Sequence, residues 1–137
     1  MDPEIIYIAA DTKNNKVLRN FTHKSKCKNS LCGDEMEISI IVKNNEISDI
    51  GYQCKSCIYC QASASLLSKL SINKSLEKIK EINSFVGKFF NNTNLKFSRE
   101  WKQFEKIFNK KNISRKECIL LPFKTLTKAL KSYYGKR

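Results

Sequence analysis

The pattern of apolar and polar positions divides the chain into short, well-separated elements. The run Ile5-Ile6-Tyr7-Ile8-Ala9-Ala10 follows Asp2-Pro3-Glu4. A capping side chain followed by proline at the first helical position opens a helix, and the pattern carries it to about Asp11. Residues 12–31 are polar and rich in Lys and Asn, with at most a short strand expected near Val17-Leu18. From Met36 to Ile40 apolar and polar residues alternate, and Ile41-Val42 extends the run. Asn44-Asn45 is turn chemistry, and Ile47, Ile50 and Tyr52 mark a return strand, so a hairpin is expected over about 35–53. Residues 54–57 then leave it as a loop.

From Ile58 the period becomes helical. Ala62, Ala64, Leu66, Leu67 and Leu70 predict a small-residue helix ending near Ser71. Ser75 caps another, with Leu76, Ile79, Ile82, Val86 and Phe89 on one face, and Ser98 opens a third containing Trp101, Phe104, Ile107 and Phe108. Ser114 and Glu117 match a capping box for a last helix, which Pro122 is expected to kink or delay. The sum is an α+β domain spanning 1–137, a small antiparallel sheet of two or three strands covered by about five helices.

Composition narrows the class. With 137 residues, 41% of them hydrophobic, the chain can build a core. It contains no apolar run near the roughly 20 residues that cross a bilayer. The acidic start has no basic region ahead of an apolar stretch, so no secretory signal is expected, and a soluble cytoplasmic protein is the default. The formal charge of +13 invites polyanion binding. Its lysines are spread along the chain rather than gathered, and Lys, Asn and Ile are abundant together, as in an AT-rich coding sequence. A solvated surface is therefore favoured over a nucleic-acid site, and an acidic protein partner also suits it. Phe89, Phe90, Phe97, Trp101, Phe104 and Phe108 could stack on bases, but most recur at intervals of three or four, which is core spacing. No Ser/His/Asp constellation or phosphate-binding glycine loop is present.

Six cysteines in a chain expected to be cytosolic point to metal, catalysis or packing rather than disulfides. Cys32-Gly33-Asp34 sets a thiolate and a carboxylate two residues apart, on one side of an extended chain. Gly33 permits a turn between them. Cys57 stands where the return strand meets the next helix, and Cys118 near the start of the last helix; a helix N-terminus favours an anionic sulfur at both. Three cysteines and an aspartate at element ends form a candidate metal site, since tetrahedral iron and zinc sites need four donors.

These residues carry a resemblance. Cys32-Gly33-Asp34 before a hairpin, Cys57 leading into Gln61-Ala62-Ser63-Ala64-Ser65, and Arg115-Lys116-Glu117-Cys118 before an amphipathic helix resemble the IscU/SufU/NifU N-terminal scaffold family over roughly residues 30–131. The resemblance implies that Cys32, Cys57 and Cys118 are thiolate ligands and Asp34 the labile fourth. It implies a cysteine desulfurase that delivers persulfide sulfur, with Cys118 as acceptor, and apo iron–sulfur proteins that receive the product. The cofactor would be a [2Fe–2S] cluster or, in the SufU branch, zinc. The long spacer between Cys57 and Cys118 resembles the SufU insertion, and Glu117 stands where the IscU branch has histidine. The family's Asn-Pro-Arg-Asn segment is absent from the N-terminal third.

Cys27, Cys54 and Cys60 are not family ligand positions. Cys60, one turn beyond Cys57, is a possible accessory thiol or a packed small residue, whereas Cys27 and Cys54 are expected to be incidental. His23, the one histidine, is expected at the surface. Cys54-x-x-Cys57-x-x-Cys60 resembles part of a ferredoxin run, so an electron carrier is one rival. A zinc-stabilised basic nucleic-acid binder is the other.

Overall fold

The computed structural model describes residues 2–29 and 33–134, except the side chains of residues 132 and 134. Asp2 accepts from the Glu4 N–H at 2.9 Å and caps α1 (Pro3–Ala9), with proline in its first turn. The three-stranded antiparallel sheet has the order β1-β2-β3, with β1 at His23–Lys28, β2 at Glu35–Lys43 and β3 at Glu46–Lys55. Asn44 and Asn45 close the β2–β3 hairpin with φ of 52° and 63°, the left-handed values of a two-residue turn, which asparagine tolerates. Alternation puts Met36, Ile38 and Ile40 on the face that packs into the core. The fold is α+β, as the sequence predicts.

Strand β1 is a correction. The expected strand near Val17-Leu18 is not formed; residues 12–18 make turns and one isolated bridge, Asn15 to Tyr52. The true strand was hidden because its inward residues are polar. Ser25 Oγ donates to the Thr125 carbonyl at 2.5 Å, and the Lys128 ammonium donates to the Lys26 carbonyl at 2.9 Å, so β1 is tied to the last helix by hydrogen bonds as well as packing. His23, expected at the surface, is buried instead. Its ring stands edge-on to Tyr133 at 5.4 Å, and its Nδ1 lies 2.8 Å from Thr22 Oγ1.

Beyond the hairpin, α2 (Ile58–Ser71) and α3 (Leu76–Phe89) form where expected, α3 being capped by Ser75 Oγ, which accepts from the Lys78 N–H at 3.2 Å. Ala62, Ser63, Ala64 and Ser65 are all buried, and their small side chains let α2 lie close against its neighbours. The segment opened by Ser98 is a 3₁₀ helix, Arg99–Lys106, rather than an α-helix. Trp101, Phe104 and Ile107 recur at intervals of exactly three residues, the spacing at which side chains eclipse in a 3₁₀ helix. A second 3₁₀ segment, Lys110–Arg115, runs directly into α4 (Lys116–Tyr134). Ser114 lies within that segment, so the expected capping box is not the start of α4. Pro122 is accommodated inside α4 and does not delay it.

The aromatic residues are core. Phe89, Phe97, Trp101, Phe104, Phe108 and Phe123 are buried and interlock, with Phe104 and Phe123 centroids 5.3 Å apart, so the 3₁₀ segment and α3 are pinned to α4. Burial leaves no stacking platform for bases among them. Gly51 in β3 lies under the crossing chain: a Cβ there would fall 2.5 Å from the Lys16 carbonyl oxygen.

Candidate metal and sulfur site

The site is built at one end of the sheet. Gly33, with φ of +75°, turns the chain into β2, and its N–H donates to the Asn29 carbonyl at 2.8 Å. The Asn29 N–H donates to the Asp34 carbonyl at 2.7 Å, so the end of β1 is tied to the start of β2. A side chain at position 33 would be strained in that conformation. Asp34 is thereby held at the foot of β2, only 5% exposed.

Across the hairpin, β3 continues through Lys55, further than expected, and Cys57 occupies the N-cap of α2 with extended backbone. The Cys57 N–H donates to Asp34 Oδ1 at 3.2 Å. Asp34 Oδ2 is buried and has no hydrogen-bond partner among the described residues. A buried carboxylate oxygen with no donor is costly, on the order of 1–3 kcal/mol, unless a cation or donor meets it.

Cys118 enters from the first turn of α4 and is buried. Two contacts set its position relative to α2. The Arg115 guanidinium lies over the Tyr59 ring at 5.4 Å, and Ser63 Oγ donates to the Ile119 carbonyl at 2.6 Å. Neither contact was visible in the sequence, although Arg115 sits in the quartet that ends in Cys118.

The outcome is convergence. An Asp34 oxygen, the Cys57 sulfur and the Cys118 sulfur all lie within 4.8 Å of one another, an arrangement able to hold a metal ion. The donor set of two thiolates and a carboxylate suits iron or zinc. Of the four sequence-predicted ligands, Cys32 lies outside the described residues, directly beside Gly33. Among the described residues, Cys54, Cys57 and Cys60 do not form a comparable group.

Those two extra thiols are nevertheless neighbours of the site. Cys54, expected to be incidental, sits at the end of β3 with its thiol pushed up by burial, with further upward pressure from the charges of Asp34 and Cys57. Cys60 is wholly buried in the first turn of α2, its thiol pushed up strongly by burial, with the Ser56 hydroxyl partly offsetting this and Cys54, Asp34 and Cys57 nearby. Cys27 faces a separate apolar hollow with Val86, Leu120 and Phe123. None of the five described cysteines is in a disulfide.

The model of the NifU-like N-terminal domain matches residues 3–137. Over 116 residues the chain is 39% identical to an uncharacterised protein of Borreliella burgdorferi, covering 84% of this chain and 76% of that one. Over 105 residues it is 30% identical to the iron–sulfur cluster assembly scaffold protein IscU of Thermotoga maritima, covering 76% and 73%. The fold is similar to the N-terminal part of a nitrogen-fixing NifU-like protein from Brucella abortus, with a TM-score of 0.91 at 14% identity over 99% of this chain and 95% of that one. It is also similar to a protein of Fervidobacterium islandicum described as an iron–sulfur cluster assembly scaffold for the SUF system, with a TM-score of 0.84 at 23% identity over 95% and 96%.

Proposed function

The chain belongs to the NifU-like N-terminal domain family, a family of iron–sulfur cluster assembly scaffolds, and from that premise we propose that it accepts sulfur and metal at Asp34, Cys57 and Cys118, with Cys32 as the fourth donor. The observation that carries this reading is the convergence of the three donors within 4.8 Å around a buried Asp34 oxygen that has no partner among the described residues. A buried carboxylate beside two thiols is a poor structural device and a good cation site.

Sulfur reaches the site as a persulfide on a cysteine desulfurase. The Cys118 thiolate attacks the terminal sulfur, the donor cysteine leaves as thiolate, and the sulfane sulfur is now on Cys118. Cys57, held at the N-cap of α2, and Cys32 supply the remaining soft donors. Asp34 is the hard member of the set and the one whose release lets a finished [2Fe–2S] cluster pass to an apo acceptor protein. In the SufU-like form of this function Asp34, Cys57 and Cys118 would hold zinc, which would keep the coordinating thiols deprotonated. The α3 and 3₁₀ insertion between Cys57 and Cys118 favours that form. The net charge of +13 suits an acidic docking face on the desulfurase. Thiols that must cycle need a reducing compartment, and a cytoplasmic location suits that chemistry; no described helix is long and apolar enough to cross a membrane.

Metal and acid-labile sulfide content after anaerobic purification tests this, for wild type and Cys118→Ala. Iron with matching sulfide, lost in the variant, identifies a cluster scaffold. Zinc without sulfide, lost in the variant, identifies sulfur transfer. Absence of metal and sulfide from both overturns the reading.

A further inference from the structure

Building a cluster from a persulfide raises an electron problem. The delivered sulfur is sulfane sulfur, formally zero-valent, whereas the cluster contains sulfide. Two electrons must therefore enter at the site. Three thiols outside the family ligand positions are present in this chain, and two of them, Cys54 at the end of β3 and Cys60 in the first turn of α2, flank Cys57 in sequence and feel the charges of Asp34 and Cys57.

Cys57 and Cys60 are spaced Cys-x-x-Cys across the first turn of α2, with Cys57 the half-buried N-cap and Cys60 fully buried. Residues three apart at the start of a helix face the same side. This is the arrangement in which dithiol oxidoreductases keep one accessible and one shielded cysteine. The shielding has a chemical consequence. A buried thiol with no exposed surface cannot meet an external disulfide or a partner protein, so its redox partner must come from within the chain. Ser56 and the charges of Cys54, Asp34 and Cys57 act on it, and Cys57 is the thiol one helical turn away.

We propose that Cys60 is a resolving thiol that reduces sulfane sulfur on Cys57 to sulfide, forming a Cys57–Cys60 disulfide. This rests on the proposed delivery of persulfide sulfur to the site, with Cys57 receiving it directly or by exchange from Cys118. The step balances. The Cys60 sulfur attacks the Cys57 sulfur of the persulfide anion, the S–S bond to the terminal sulfur breaks, and a Cys57–Cys60 bond forms. The terminal sulfur leaves with the electron pair and takes the Cys60 proton, departing as hydrosulfide. The sulfane sulfur has gained two electrons, and the two cysteines have together lost two. A dithiol reductant then restores both thiols by attacking the half-exposed Cys57 sulfur, since Cys60 is out of reach. Until that reset, Cys57 is not available as a ligand, so sulfide release and metal retention alternate at the same sulfur.

The sequence supplies a clean assay. Cleavage after Lys55 and Lys69 yields a peptide, residues 56–69, that contains Cys57 and Cys60 but not Cys54. The full chain, metal-free and anaerobic, is mixed with glutathione persulfide in one arm and with a persulfide-loaded cysteine desulfurase in the other. Free sulfide is followed electrochemically and the peptide by mass. The expected result is sulfide release together with a 56–69 peptide lighter by two hydrogens. In Cys60→Ser, and in Cys60→Ala in case a buried hydroxyl disturbs packing, sulfide release and the disulfide are lost and the peptide instead gains one sulfur atom. Sulfide release unchanged in both variants overturns the inference, as does a wild-type peptide that keeps its extra sulfur and forms no disulfide. A disulfide to Cys54 in place of Cys60 also overturns it. Sulfur uptake from glutathione persulfide but never from the desulfurase would instead break the proposed function and leave the chemistry of Cys60 standing.

Discussion

The Cys57 N–H and the Asp34 carboxylate meet at 3.2 Å across the open end of the β2–β3 hairpin, and this contact uses one carboxylate oxygen while leaving the other buried without a partner among the described residues. One hydrogen bond orients the carboxylate, and the unused oxygen gives it a reason to bind a cation. Asp34→Ala tests both halves. Without its metal the variant loses a hydrogen bond worth about 1 kcal/mol and sheds an unsatisfied buried group that costs about 1–3 kcal/mol. Its apo melting temperature is expected to equal or exceed that of wild type. Its metal or cluster is expected to be retained longer and transferred to an apo acceptor more slowly. A lower apo melting temperature, or unchanged retention and transfer, contradicts the labile-ligand role.

Chelation provides a second handle. Donors from the start of β2, the start of α2 and the start of α4 come together only in the folded chain. Metal bound there stabilises the native state by mass action, about 2.7 kcal/mol at a free concentration 100 times Kd. Adding EDTA should therefore lower the melting temperature of the metal-loaded wild type by several degrees and leave Cys118→Ala unmoved. Equal shifts in both proteins would place the metal elsewhere.

Gly51 is required for space rather than for an unusual backbone angle. The added Cβ of Gly51→Ala meets the Lys16 carbonyl at 2.5 Å, so either β3 or the segment that bridges to Tyr52 must move. Overpacking of this kind costs about 1–3 kcal/mol. Urea unfolding should show a lower midpoint with an unchanged slope.

The carboxyl of Asp11 is held below its usual value, first by its bond to the Lys69 ammonium at 3.0 Å and then by the Lys13 N–H. A carboxyl depressed in the folded state adds stability above its unfolded pKa, and that increment fades as pH falls through the folded value. The melting-temperature difference between wild type and Asp11→Asn should thus be present at neutral pH and close below about pH 4. The contact is largely exposed, so the difference is small and should shrink in high salt. A difference that grows on acidification would refute this.

How much of this was legible in the sequence depends on whether an element announces itself by apolar period. The β2–β3 hairpin, α2 and α3 do, because Met36, Ile38 and Ile40 alternate and Leu76, Ile79, Ile82 and Val86 follow a helical face. β1 does not, because His23 and Ser25 point inward as polar residues that hydrogen bonds and a Tyr133 contact make tolerable. The period-three run Trp101, Phe104, Ile107 was readable as helix but not by eye as 3₁₀. At the site, Asp34 and Cys57 were legible from motif chemistry, and Gly33 adopts the left-handed turn expected of it. The orphaned Asp34 oxygen and the Arg115–Tyr59 contact depend on atoms brought together from distant segments, which no local pattern encodes. The proximity of Cys54 and Cys60 to Asp34 is of the same kind.

The lysines of β1 give part of the large positive charge a purpose unrelated to any ligand. Lys24, Lys26 and Lys28 alternate on the exposed face of a strand that ends the sheet, and Lys24 and Lys28 reach Glu37 and Glu35 on β2 at 3.2 and 3.7 Å. At the opposite margin, β3 is bridged by Asn15 and Ser75. A sheet with one margin bridged at two points and the other carrying lysines is a poor template for a second copy of itself. The folded chain is thereby shielded from strand-by-strand aggregation.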